Sequence, residues 1–171
     1  MGIVLTSIGN VDAEILEILK PGLNRAFNKD VLIGGEIPDP DFAFNKRRLQ
    51  YLASDILDAL IRQTEITRPG EILGIIDRDL YVPDLNFVFG LAHQKGAVIS
   101  LTRLRQGFYG LPENTSLFHY RVLIEAVHEL GHTYGLGHCN NPHCVMFFSN
   151  SLTDTDRKGP EFCEKCTSKL T

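Results

Sequence analysis

No run of apolar residues in this chain approaches the roughly 18 needed to cross a bilayer, so a transmembrane helix is not expected. Positive charge is not in excess either: 17 Lys and Arg stand against 21 Asp and Glu, a net charge of −4. With a pI of about 5.8, that balance argues against non-specific binding to nucleic acid. The short basic run Lys46-Arg47-Arg48 reads as the solvated start of a helix. There is no internal repeat and no low-complexity tract. The first residues lack a basic leader and a cleavage site. Met1 to Thr6 nominally fits a myristoylation signal but reads better as a buried first strand. A cytoplasmic chain is therefore expected. Cysteine is missing until position 139; all four, Cys139, Cys144, Cys163 and Cys166, fall in the last 33 residues.

What is present suits one compact domain. The chain has 171 residues, 43% of them hydrophobic, enough for a real core. The expectation is a single domain, 1–171, with an N-terminal subdomain (1–135) and a C-terminal one (136–171), acting as a monomer. Strand patterns fall at Ile3–Ser7, Val31–Glu36, Glu71–Asp77, Phe87–Ala92 and Ala97–Leu101. Helical patterns fall at Asp12–Phe27, interrupted at Pro21-Gly22, and at Arg48–Thr64, with Leu49, Leu52, Ile56, Leu60 and Ile61 on one face. Alternating strands and helices predict an α/β fold with a largely parallel sheet backed by helices. The link His93-Gln94-Lys95-Gly96 is too short for a parallel crossover. The five-stranded sheet should therefore be mixed, with one antiparallel strand.

The chemistry concentrates at His128-Glu129-Leu130-Gly131-His132-Thr133-Tyr134-Gly135-Leu136-Gly137-His138. Positions i and i+4 of a helix share one face, so His128 and His132 can reach a single ion. Leu123, Val127, Leu130 and Tyr134 form an apolar stripe, with Arg121, Glu125, His128 and His132 opposite, toward a cleft. Asn114, Thr115 and Ser116 offer caps at the helix start. Gly135 can stop the helix and turn the chain, bringing His138 back as a third ligand. Three neutral nitrogens with an open fourth position suit a catalytic zinc. Glu129, about 100° round from His128, is placed as general base for a metal-activated water.

The cysteines read C-x4-C, then C-x2-C, the layout of a structural zinc site with four thiolate ligands. Two disulfides, or plain reduced thiols, are the alternatives. Cys139 directly follows His138 and should point the opposite way, so the second metal would sit just behind the first. His143 reads as a loop residue and Met146 as core filling. Asp77, Asp79 and Asp84 read as turn and cap residues rather than a cation site. Asp154, Asp156 and Lys158 read as shaping the loop before a last helix.

HExxHxxGxxH followed by a methionine in a turn resembles the metzincin signature. Cys139, Cys144-Val145-Met146 and Phe162-Cys163-Glu164-Lys165-Cys166 resemble its archaemetzincin branch, as do Asp77-Arg78-Asp79-Leu80-Tyr81 and Asn86-Phe87-Val88-Phe89-Gly90. The resemblance implies a zinc peptidase acting on peptide or protein substrates, with His128, His132 and His138 as ligands and Glu129 as base. It implies two Zn²⁺ per chain, the second held by the four cysteines in a small C-terminal subdomain. It implies Met146 packed beneath the imidazoles, and an antiparallel strand at Asn86, Phe87, Val88, Phe89 and Gly90 on the cleft rim, pairing with substrate. From the residues alone, that strand could equally have its edge covered by a loop. Several metzincins carry a tyrosine two residues after the methionine; here Phe148 stands there, so a switchable extra ligand is absent. The alternative to an enzyme is a zinc-stabilised interaction module on the same framework.

Overall fold

The computed structural model of the chain describes residues 2–67 and 71–170. In chain order its elements are β1 (Ile3–Ile8), α1 (Ala13–Phe27), β2 (Val31–Ile37), β3 (Phe44–Asn45), β4 (Gln50–Leu52) and α2 (Ala53–Thr67). They continue with β5 (Glu71–Ile76), β6 (Leu80–Tyr81), β7 (Gly90–His93), β8 (Gly96–Ser100), α3 (Thr115–Thr133), α4 (Leu152–Arg157) and α5 (Glu164–Thr167).

Alternation at period two organises the main sheet, whose order is β2-β1-β5-β8-β7. Ile3, Leu5, Leu73, Ile75, Ala97 and Ile99 face one core with α1 and α3, while Ile8, Ile72, Ile76 and Val98 face a second with α2. Strands buried on both faces are mostly apolar, as in β1 and β8, where Thr6, Ser7 and Ser100 are the polar residues. Three pairings are parallel and β7 runs antiparallel to β8 at the edge, so the sheet is mixed as expected.

Three local expectations are corrected. First, α1 runs unbroken through Pro21. Burial of Leu19 and Leu23 on either side of it, both fully covered, outweighs the missing hydrogen bond. Gly22 is there because α3 packs close: a Cβ at that position would come within 2.5 Å of Leu123.

Second, residues 48–52 are not helical. Leu49 takes a left-handed backbone (φ 55°) in the turn joining β3 to β4 and is exposed. With β6 these strands form a small second sheet, β3-β4-β6, that the periodicity did not indicate. Lys46 and Arg47 lie in that turn, and Arg48 leaves solvent to stack 4.1 Å from the Tyr81 ring. Its guanidinium also donates to the carbonyl of Leu85 at 2.7 Å.

Third, the edge strand begins at Gly90, not at Phe87. The backbone just before it is committed elsewhere. The Asn86 carbonyl accepts from Gln50 Nε2 at 2.8 Å, and the Val88 N–H donates to the Leu80 carbonyl at 2.9 Å in the small sheet.

Candidate metal centres and cleft

Asn114 caps α3, its side chain accepting from the Leu117 N–H at 3.0 Å, and the helix delivers His128, Glu129 and His132 under the sheet edge. Of the face expected to front a cleft, Glu125, His128 and His132 do line one, although little of their surface is left open. Arg121, Glu125 and His128 are buried because the segment carrying α4 folds across them. Arg121 forms a two-pronged pair with Asp156, at 2.7 Å on each prong, and donates to the Leu104 carbonyl at 3.1 Å.

After Thr133, Gly135 adopts φ 84°, a left-handed turn that favours glycine, and redirects the chain toward His138. One ring nitrogen each of His128, His132 and His138 then lies within 4.8 Å of the others, close enough together to hold a metal ion. His128 Nδ1 donates to the Val145 carbonyl and His132 Nδ1 to the Leu136 carbonyl, each at 2.7 Å. A carbonyl can only accept, so both protons sit on Nδ1 and both Nε2 lone pairs are free. Those two Nε2 atoms are 3.2 Å apart. Two nitrogens on a tetrahedral zinc, at about 2.05 Å each, would be separated by about 3.3 Å, so the donor set fits the ion. Burial holds all three imidazoles below their ordinary pKa, with the nearby Lys158 ammonium adding to the effect. They are therefore neutral, as ligands must be.

Glu129 is buried beside them, and burial pushes its carboxyl up to about 8, with the neighbouring Glu125 raising it further and Lys158 opposing. A cation seated among the imidazoles would draw it down again. Gly90 makes room for this side chain. A Cβ there would fall 2.6 Å from Glu129 Cγ and 2.7 Å from the Val98 carbonyl oxygen.

The four cysteine sulfurs also lie within 4.8 Å of one another and are not joined as disulfides. Cys139 Sγ and Cys163 Sγ are 3.8 Å apart. That is the edge of a tetrahedron with about 2.3 Å Zn–S bonds, against about 2.05 Å for a disulfide. The Cys166 backbone N–H holds the Cys163 thiol down to about 7, whereas burial raises Cys144. The two clusters are mechanically joined: the Cys139 N–H donates to the Met146 carbonyl at 2.9 Å, and the next carbonyl back, Val145, orients His128. Met146 is buried against Gly131, where a Cβ would meet its sulfur at 2.5 Å. His143 is exposed.

A cleft of about 530 Å³ lies over the histidines. Asn86, Phe87, Val88, Phe89 and Gly90 all line it, together with Leu85, Leu91 and Phe148. The Phe148 ring packs 4.9 Å from the His138 ring. In the main sheet β7 pairs with β8 alone, and among the described residues no strand pairs with its other edge. Asp77 and Asp79 are not a cation site: they pair with Arg105 and Arg103. Arg103 is also sandwiched between the rings of Phe87 (4.2 Å) and Phe108 (4.8 Å), bracing the cleft wall.

Two features escaped the reading of the sequence. One is the Arg103 brace. The other is Lys158, whose side chain is fully buried with Nζ 3.8 Å from Glu125 Oε1, directly behind His128. No periodic pattern marks either, since each depends on a partner far along the chain, Phe87 and Asp79 for Arg103 and Glu125 for Lys158.

A family model described as peptidase family M54 matches residues 25–171. An archaemetzincin of Methanocaldococcus jannaschii is 42% identical over 172 residues, spanning 99% of this chain and 93% of its own. The crystal structure of an archaemetzincin from Methanopyrus kandleri superposes with a TM-score of 0.86 at 37% identity, over 99% of this chain and 93% of that one. A zinc-dependent peptidase from Methanocorpusculum labreanum does so with a TM-score of 0.89 at 32% identity, over 99% and 100%. Fold, site and likeness together define a zinc metallopeptidase of the metzincin kind. The chain belongs to peptidase family M54, the archaemetzincins.

Proposed function

We propose that this chain hydrolyses peptide bonds with one zinc held by His128, His132 and His138, while Cys139, Cys144, Cys163 and Cys166 hold a second, structural one. The observation that carries the reading is the 3.2 Å approach of two Nε2 atoms whose Nδ1 protons are both fixed on carbonyls. When bound, the zinc would supply Lewis-acid polarisation of the scissile carbonyl and lower the pKa of water. The rest is done by the chain. Glu129 takes a proton from the attacking water and returns it to the leaving amine. The free edge of β7 pairs with an extended substrate backbone, and Asn86 to Phe89 border its side chains. The apolar walls favour a large apolar side chain in the cleft.

In this reading the chain is one catalytic domain: an N-terminal subdomain, 1–135, ending in the zinc helix, and a C-terminal one, 136–171, stapled by the cysteines. Among the described residues no helix is long and apolar enough to cross a membrane. Four unpaired thiols suit the reducing cytoplasm, and the chain acts as a monomer.

The direct test is incubation of the zinc-loaded chain with N-terminally blocked and free peptide libraries, read by mass spectrometry. Cleavage that a hydroxamate suppresses is expected. No cleavage, together with no rise in melting temperature on adding the hydroxamate, would favour an interaction module instead. The Gly90→Ala variant is expected to lose about 10-fold or more in kcat, since the new methyl displaces Glu129 or the edge strand. A kcat equal to that of the parent would mean the close approach of strand and base has no catalytic consequence.

A further inference from the structure

Lys158 and Glu125 are ionisable side chains buried together, being 0% and 2% exposed with 3.8 Å between Nζ and Oε1. A buried ion pair seldom adds stability over an apolar pair of the same shape, so its presence calls for another reason. Its contacts supply one. Lys158 Nζ donates to the Phe147 carbonyl at 2.9 Å, and Thr155 Oγ1 donates to Glu125 Oε1 at 2.9 Å. Glu125 stands one helical turn before Glu129 on α3. Phe147 stands between Met146, which packs under Gly131, and Phe148, which packs on His138. Lys158 Nζ is also 3.3 Å from His128 Nδ1. Since Nδ1 already donates to the Val145 carbonyl, that contact joins two donors and is not a hydrogen bond. The ammonium is spent on Glu125 and on the Phe147 carbonyl.

We infer that Lys158 and Glu125 are a positioning pair, clamping the 145–148 segment onto α3 and so holding His128 and His138 in their metal-binding geometry. The inference rests on the reading of His128, His132 and His138 as metal ligands. Groups that orient ligands from outside typically change metal affinity 10- to 100-fold when removed. No ligand itself is altered by removing this pair.

The test uses the full chain with Lys158→Met, Glu125→Leu and Thr155→Val combined, which removes both charges and the hydroxyl that would be left unpaired. Zinc affinity is measured by chelator competition, and Co²⁺ substitution reports each site through its own absorption bands. The expected result is a melting temperature like that of the parent, with zinc binding at the histidines weakened by about 10- to 100-fold. The visible Co²⁺ bands of the histidine site should change while the thiolate charge-transfer bands do not. Glu125→Gln alone, which keeps the shape of the side chain, is measured the same way in case the triple variant does not fold. It should weaken the site by about 10-fold, at the lower end of that range. Parental affinity and Co²⁺ spectrum in either folded variant would show the pair to be packing only and overturn the inference. A parent chain whose zinc content does not fall with His138→Ala would overturn it too, through loss of the metal-site reading itself.

Discussion

Replacing Glu129 by Gln is expected to lower peptide hydrolysis by about 10²–10⁴-fold while leaving zinc in place. The amide keeps the size of the side chain and its packing against Gly90, but it cannot accept a proton from water at any working pH. The imidazole nitrogens are untouched, because His128 and His132 are oriented by the Val145 and Leu136 carbonyls and His138 packs on Phe148, none of them held by Glu129. The two measurements therefore separate cleanly. Metal analysis should give the same zinc content as the parent, and hydroxamate binding should persist, while kcat collapses with little change in KM. Near-parental turnover by this variant would remove Glu129 from the mechanism, and loss of zinc would make it a structural residue.

The second large effect lies at the other cluster. Cys163→Ser should release the metal held by the four thiols and lower the melting temperature by roughly 10–20 °C. Structural zinc is worth on the order of 10 kcal/mol in small domains, and a chain of this size loses about 2–4 °C per kcal/mol, so losing even half of that binding is visible. Cys163 is the better position to change because it is only partly buried, so a serine leaves little cavity. Among the described residues after Gly135 the helices, α4 and α5, are short, of six and four residues. Helices that short do not hold themselves together. The loss should also be felt at the histidines, since Cys139 and Met146 are bonded through their backbones and Val145 orients His128. Scanning calorimetry with metal analysis checks this. A serine variant with the parental melting temperature and parental zinc content would mean that the four thiols are not holding a structural ion.

How much of this was legible in the residues differs from element to element. The zinc helix, its Asn114 cap, the Gly135 turn and the antiparallel edge strand were all readable, because each is written within a few residues of itself. The small sheet was not. Residues 48–52 carry an apolar pattern compatible with a helix, yet Gln50–Leu52 is a strand, and its parallel partners Leu80 and Tyr81 lie some 30 residues on. The start of β7 was misplaced for the same reason, since Val88 is held by Leu80 rather than by the main sheet. Pro21 was read as a break, yet packing on α3 carries the helix through it.

The sequence by itself determined the two groups of side chains that could hold a metal. Spacings of four and six among the histidines, and of five, nineteen and three among the cysteines, are constraints that helical periodicity and tight turns impose locally. The tertiary structure decided what surrounds them: the closure of α4 over Arg121 and Glu125, the Arg103 brace on Phe87, and Lys158 behind His128. A buried charge is tolerable only when a partner from elsewhere in the chain arrives beside it. That arrival depends on how sheet and helices pack, and no pattern of neighbouring residues records it.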